Sequence, residues 1–564
     1  MKCFFVNDFE YINNNLHKIS SENFCVTTSI FIYHFLKQNK FINVHFIGYN
    51  LTPENRYNLL IKYFVESHRI INILDRDKKV LKYIKYKNID IFYNSLRYSF
   101  SIDYSSFMFL LDQIKELIKR KKIEKIIFLG SINLNHFADT FFLDELGRNL
   151  KIDYEFKHEK KLFTIILNNF NKLKSKLKNV NSITLSQLIL YLKQKSTNLY
   201  KNKKILVIEP LYDFFYSNYN RKNTTFINYS EIKNKNFEIT FEEDLEKYID
   251  ILKNKLNCSI NIIKHIIRLV YVIDKRLITF LPSIEKKIEK NNIKDIFWCC
   301  DPDEFIANVV KYFQKKKINI YGIQHGGSYG LQHYNNLHKH SDYNFCDKFL
   351  SYGYSKNLKN KKILELGSFK SNYYSLYSNN IKKKHRNSKI TMFIPTPIYE
   401  LYPHKICPLL FFEQQLKICN ILNKNKFKKI IKLPQKLENK YPIILEAKNL
   451  KNFNLNFQKS YISISKYRPK VIILDFLSTT LYECLLSSSE IILFIDNYNL
   501  PPKDVLKLLK KRVHIVKNIL EFELIYQEVI ENKVSKNKDK SFLKYFYLLK
   551  KNKSNMKVLK KIQK

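Results

Sequence analysis

Glycine is scarce in this chain, with 9 in 564 residues. Alanine occurs only at Ala138, Ala307 and Ala447, and acids are outnumbered by bases, 51 against 98. The nine cysteines are odd in number and form no CxxC pair. That argues against a zinc site or a disulfide framework and favours a reducing compartment. No run of about 18 apolar residues exists, the length a membrane-spanning helix needs. The longest candidate, IIRLVYVIDKRLITFL, is interrupted by Arg268, Asp274, Lys275 and Arg276. The N-terminus, MKCFFVNDFEYINNN, has too short an apolar stretch and too early an acid for a secretory signal. These absences lead to the expectation of a cytoplasmic protein, with basic patches available for peripheral contact with the anionic inner face of a membrane.

What is abundant is lysine, asparagine, isoleucine, phenylalanine and tyrosine. The formal charge of +47 would by itself suggest a nucleic acid or another anionic partner. The lysines are spread along the whole chain, however, and the inflated residues are those of AT-rich codons. Compositional drift therefore accounts for much of the charge. There is no RNP-like aromatic motif, no helix-turn-helix signature and no local basic stripe before the C-terminal tail. A nucleic-acid-binding protein stays the rival from another class, and no specific nucleic acid is expected as partner. The hydrophobic share of 45% is enough for large cores, and the length predicts two or three domains.

Short apolar runs alternate with longer amphipathic stretches. NVHFIGYN, RIINILD, KIIFLGS and KKILVIEP read as buried strands. So do IKDIFWCC, INIYGIQ, DKFLSYG, KILELG, ITMFIP, KKIIKLP, KVIILD and EIILFID further on. Helical patterns lie between many of them, including 305–315, 408–422 and 477–486. This alternation predicts α/β architecture with parallel sheets covered on both faces, whose strand ends share one ligand-binding rim. The polar, basic stretch at about 374–390 reads as a linker. The expected division is an N-terminal α/β region over 1–385, with two lobes that can meet near 200. A compact α/β unit over 386–531 and a basic helical tail over 532–564 follow. The tail aromatics Phe542, Tyr545 and Phe546 can dock back onto the body.

Six of the nine glycines fall between 322 and 367, and four sit in IYGIQHGGSYGLQHY. Glycine is needed where φ is positive or where a ligand approaches the backbone closely. A Gly326-Gly327 turn at the end of a buried parallel strand offers N–H groups to a phosphate or carboxylate. His325 beside it suits acid–base work or phosphate binding. A tight turn that merely follows a histidine is the alternative.

RPKVIILDFLSTTLYECLLSSSEIILFID reads as one βαβ unit. Asp475 ends the strand, and Ser478, Thr479 and Thr480 open a helix whose first turn can hold an anion. Glu483, about one turn in, can accept hydrogen bonds from ribose hydroxyls. A plain N-cap at Ser478 is the alternative. The loop Pro395-Thr396-Pro397 and Lys432 are expected on the same rim, Lys432 as a phosphate partner. The acid pairs of DPDEF at 301–305 and DRD at 75–77 match a metal-holding DxD, but read better as a helix start and a strand-end turn.

QHGGSYG, followed by CDKFLSYGYS, LGSFK and then DFLSTTLYE, resembles a family of transferases encoded in O-antigen and other surface-polysaccharide gene clusters. It is similar, more distantly, to capsule Kdo-transferases and teichoic-acid glycerophosphotransferases. The resemblance covers about residues 290–500. It implies a GT-B-like fold: two Rossmann-like domains with parallel sheets facing a central cleft, the donor held mainly by the C-terminal one. It makes Ser478, Thr479, Thr480 and Glu483 the donor-binding helix start, and His325, Gly326 and Gly327 the loop that faces it. The expected activity is metal-independent glycosyl transfer from a nucleotide-activated sugar to a glycan or lipid-linked acceptor, with no cofactor. A polyol-phosphate transferase with the same cleft, or a non-catalytic scaffold, are the alternatives.

Overall fold

A computed structural model describes residues 1–96, 99–129, 153–157, 205–208, 224–227, 241–299, 304–324, 331, 345–351, 362–365, 388–398, 407–434, 441–444, 453–495, 500–536 and 539–546. The linker expected at about 374–390 lies outside these residues up to its last three positions.

Three sheets carry the fold, and every strand pairing in them is parallel. The first sheet comprises β1 (Lys2–Val6), β2 (Phe24–Thr27), β3 (Val44–Phe46), β4 (Lys125–Leu129) and β5 (Asp153–Lys157), in the order β3-β2-β1-β4-β5. The second comprises β6 (Ile205–Ile208), β7 (Thr224–Ile227), β8 (Asp295–Cys299), β9 (Asn319–Ile323), β10 (Lys348–Ser351) and β11 (Ile363–Glu365), in the order β11-β10-β9-β8-β6-β7. The third comprises β12 (Ile390–Ile394), β13 (Lys428–Lys432), β14 (Phe453–Asn456), β15 (Val471–Leu474), β16 (Glu490–Phe494) and β17 (His514–Val516), in the order β14-β13-β12-β15-β16-β17. Renumbered within itself, this last sheet runs 3-2-1-4-5-6, the order of a Rossmann sheet, and the first sheet follows it for five strands. The α/β class with parallel, Rossmann-like sheets is thus as the alternation predicts.

Two segments depart from the reading of the sequence. RIINILD is no strand; it forms the last turns of the helix Pro53–Leu74. Its buried positions, Leu60, Tyr63, Ser67, Ile70, Ile71 and Leu74, follow helical spacing once the preceding turns are included. A short apolar run cannot reveal its period by itself. DRD is accordingly a helix-to-helix turn: Asp75 caps the end of that helix and Asp77 opens the helix Lys78–Leu81.

The broken apolar run lies within the helix Ile260–Asn291. Ser259 caps it, accepting from the Ile262 amide at 3.2 Å. Arg268 and Lys275 face solvent, while the stripe from Ile262 to Ile288 is buried. Asp274 is buried in that stripe and accepts the amides of Lys85 (3.2 Å) and Tyr86 (3.1 Å), 188 residues away from the latter. Among the described residues no single helix is long and apolar enough to cross a membrane. The helices Glu243–Leu256 and Ile260–Asn291 meet that test only as a pair, bent by 116°.

One buried cluster joins Phe5 and Val26 of the first sheet, Leu206 and Ile296 of the second, and Met392 and Ile472 of the third. A second joins Ile30 and Phe46, which follow or end strands of the first sheet, to Phe393, Ile398, Cys407 and Phe412 of the C-terminal part. His34 of the helix Ile30–Gln38 meets the Phe412 ring edge-on at 5.8 Å. The carboxyl edge of the first sheet therefore abuts the helix Pro408–Asn423, which follows β12 of the third. Past the third sheet, Phe542 of the helix Ser541–Phe546 is buried against Tyr482, ring centroids 5.8 Å apart, and the Tyr545 hydroxyl reaches Asp504 at 3.4 Å.

Candidate functional site

In an open parallel sheet, a crevice forms at the carboxyl ends of the two strands where the order reverses. In the third sheet these are β12 and β15, and Ile394 pairs with Leu474 across them. The next residues, Pro395-Thr396-Pro397 and Asp475, are thereby brought side by side. Asp475 Oδ1 accepts the Thr396 amide at 2.8 Å, and Asp475 Oδ2 accepts from Gln415 Nε2 at 2.6 Å. The same Gln415 nitrogen donates to the Thr396 carbonyl at 3.1 Å. One buried carboxylate thus ties together the end of β15, the loop after β12 and the helix Pro408–Asn423. Burial raises the Asp475 pKa to about 7, against the opposing pull of the Gln415 and Thr396 hydrogen bonds. Asp475 is 4% exposed, so it acts on the rim by positioning the loop.

Ser478 stands at the N-cap of the helix Thr479–Leu485 with extended backbone (φ −132°, ψ 175°), and its side chain makes no capping bond. Leu481, Tyr482, Cys484 and Leu485 bury one side of this helix, whereas Ser478, Thr479, Thr480 and Glu483 are half-exposed. Apolar residues packed inward thus leave hydroxyls and a carboxylate on the rim. Lys432 closes β13, next to β12, and is 6% exposed. Burial lowers its pKa, and the carboxylate of Glu483 works against that. The Glu483 carboxylate thus lies near enough to Lys432 to favour its charged form.

Lys432, Asp475, Ser478, Thr479, Thr480 and Glu483 are all on one carboxyl edge. Among the described residues a cavity of about 10 Å³ borders it, lined by Gln414, Asp475, Phe476 and Lys517 among others. His325, Gly326 and Gly327 lie outside the described residues, as do Asp301 and Asp303; β9, which precedes the histidine, ends at Ile323. No group of three or more His, Cys, Asp or Glu side chains that could hold a metal occurs among the described residues.

Two features escaped the sequence. Gln415 is a polar residue, fully buried, in the apolar helix PLLFFEQQLKICNILN, and that mismatch was the available signal. The carboxyl edge of the first sheet carries a polar knot. Asn7 Nδ2 donates to Thr28 Oγ1 at 2.6 Å, and Asn7 Oδ1 accepts the Thr28 amide at 2.9 Å and Thr27 Oγ1 at 3.0 Å. The run TTS directly after the apolar FCV marks it in the sequence.

The model of the LIC12162 family of transferases matches residues 94–511, which contain every residue of the rim described above. The chain belongs to the LIC12162 transferase family. It is accordingly a transferase. No curated protein matches its sequence. Solved structures resemble it loosely. UDP-GlcNAc 2-epimerase from Neisseria meningitidis, bound to UDP-GlcNAc, is 11% identical at a TM-score of 0.38, over 64% of this chain and 99% of that one. UGT89C1 from Arabidopsis thaliana is 10% identical at 0.37, over 66% and 95%. A UDP-glucosyltransferase from Polygonum tinctorium is 9% identical at 0.34, over 64% and 98%. The family match extends from the helix at Ile91–Leu96 to the end of the helix Lys503–Lys510, so it takes in the second sheet whole and the third up to β16.

Proposed function

We propose that this LIC12162 family member is a GT-B-type glycosyltransferase of surface-polysaccharide assembly. It takes a nucleotide-activated sugar as donor and a glycan or lipid-linked molecule as acceptor. The observation that carries the reading is the order reversal between β12 and β15, flanked by Asp475, Ser478 and Thr480 within the matched region. The donor diphosphate takes the half-exposed hydroxyls and amides at Ser478–Thr480, and Glu483 accepts from the ribose. Lys432 contributes positive charge from beneath, and Asp475 positions the loop 395–397.

His325 is the general base toward the acceptor hydroxyl, with Gly326 and Gly327 leaving room for the ligand beside it. The proton passes from the acceptor oxygen to the imidazole while the nucleoside diphosphate departs. Backbone amides and lysine charge offset the charge of the leaving diphosphate, and no resident metal is invoked.

The test is thermal unfolding with UDP-, GDP-, dTDP-, CMP- and CDP-linked sugars, with CDP-glycerol and CDP-ribitol in the same panel. A ligand present at about 100 times its Kd should stabilise the fold by about 2.7 kcal/mol. Thr480→Glu, which sets a carboxylate against the phosphates, should abolish the shift. His325→Ala should keep it and slow transfer by about 10²- to 10⁴-fold. A panel in which nothing shifts the midpoint would defeat the reading, as would a shift that survives Thr480→Glu. A response confined to the polyol nucleotides would replace glycosyl by polyol-phosphate transfer.

A further inference from the structure

An open cavity of about 750 Å³ lies between the C-terminal half of the helix Pro53–Leu74, the helix Lys78–Leu81 and the helix Glu243–Leu256. It shares no residue with the donor rim. Five cations line it, Arg69, Arg76, Lys78, Lys79 and Lys255, against one carboxylate, Asp77.

That carboxylate is turned inward. Asp77 is 7% exposed, accepts the amides of Lys79 (3.0 Å) and Val80 (3.2 Å) as a helix cap, and accepts the Tyr248 hydroxyl at 2.8 Å. Lys255 approaches it at 3.7 Å. The cavity therefore keeps a positive excess that its own acid does not cancel.

Two of the cations are held in place. Arg69 donates through Nη2 to the Leu256 carbonyl at 2.8 Å, and the Lys79 ammonium lies 4.6 Å from the centroid of the Tyr248 ring. A guanidinium carries five N–H donors, so the Leu256 bond leaves Arg69 with others. Arg69 sits in the last two turns of the helix Pro53–Leu74, and Arg76 in the turn between that helix and Lys78–Leu81, so the two guanidiniums come from different segments of the cavity wall. Lysine is common everywhere in this chain, but only 12 of the 98 basic residues are arginine. The drift that inflates lysine does not place two arginines in one cavity. Val65, Ile73 and the Tyr248 ring supply apolar wall.

Separated, partly fixed guanidinium and ammonium groups over an apolar wall suit an extended polyanion, since arginine pairs with phosphate through parallel N–H bonds. We propose that this cavity is a second binding site, for a ligand that carries two or more phosphate groups.

Inorganic pyrophosphate is the probe, titrated calorimetrically into the full chain at fixed salt. Thr480→Glu serves as background, so that binding at the donor rim does not contribute and the two proposals fail separately. Saturable binding is expected, weakened about tenfold for each cation removed in Arg76→Ala and Arg76→Ala/Lys79→Ala. Lys40→Ala/Lys503→Ala, which removes equal charge elsewhere on the surface, should leave it unchanged. Sedimentation with vesicles that carry phosphatidylinositol 4,5-bisphosphate, set against phosphatidylcholine vesicles, separates the sources. Vesicle binding lost with the same two residues assigns a lipid headgroup, and unaltered vesicle behaviour assigns a soluble phosphate. Both outcomes keep the site. Absence of saturable binding would overturn it, as would equal weakening by the control pair.

Discussion

Asp475 shows how one residue's chemistry is set by where the chain puts it. An exposed aspartate gives up its proton near pH 4. Here burial holds the folded carboxyl to about 7. The folded chain therefore binds more protons than the unfolded chain between about pH 4 and about pH 7, so stability falls as pH rises through that window. Asp475→Asn should flatten this part of the stability–pH curve relative to wild type, as read by urea unfolding at a series of pH values. Equal slopes in the two proteins would show that the carboxyl titrates normally. Asp475→Ala should cost about 2–3 kcal/mol, because the Thr396 amide and Gln415 lose a buried acceptor. The identity of Asp475 as a strand-end residue was legible from KVIILD alone. Its service as a tie to Thr396 and Gln415 was not, since these partners lie 79 and 60 residues away.

At the level of elements, buried strands were legible wherever β-branched residues clustered between turn signals, as in β8, β9, β12, β13, β15 and β16. β14 (FNLN) and β17 (HIV) were not, because edge strands are short and carry little apolar signal. RIINILD failed for the opposite reason: a helix buried on a wide face reads locally as a strand. The helix Thr479–Leu485 is short and owes its place to packing, including the contact of Tyr482 with Phe542. Phe542→Ala should destabilise this corner by about 3 kcal/mol and raise amide exchange in residues 479–485. Unchanged exchange there would mean that the terminal helix merely rests on the body.

At the scale of the molecule, the N-terminal sheet and the third sheet are joined by contacts between the helices Ile30–Gln38 and Pro408–Asn423. Phe412 lies at that seam, 1% exposed, against His34 and in one cluster with Ile30 and Phe46. Phe412→Ala should cost about 3–5 kcal/mol. It should also expose the helix Ile30–Gln38 to hydrogen exchange ahead of global unfolding, because the lost ring serves both sides of the seam. Protection that stays uniform would show that other contacts carry the junction. This seam also brings the polar knot of Asn7, Thr27 and Thr28 to the same end of the molecule as the helix that follows β12, the end at which Gly48, just past β3, takes a positive φ of 75°.

Alternating apolar and amphipathic segments determined by themselves that the chain builds parallel α/β layers, and that hydroxyls and charges just past strand ends, such as Ser478, Thr480 and Lys432, belong to one edge. That much follows from burial on both faces and from the fixed hand of crossovers, which act over some 30 residues. The tertiary structure alone decided the strand order, the approach of the Glu483 carboxylate to Lys432 and the raised pKa of Asp475. Those depend on which distant groups exclude water from one another, and no local pattern of residues encodes that.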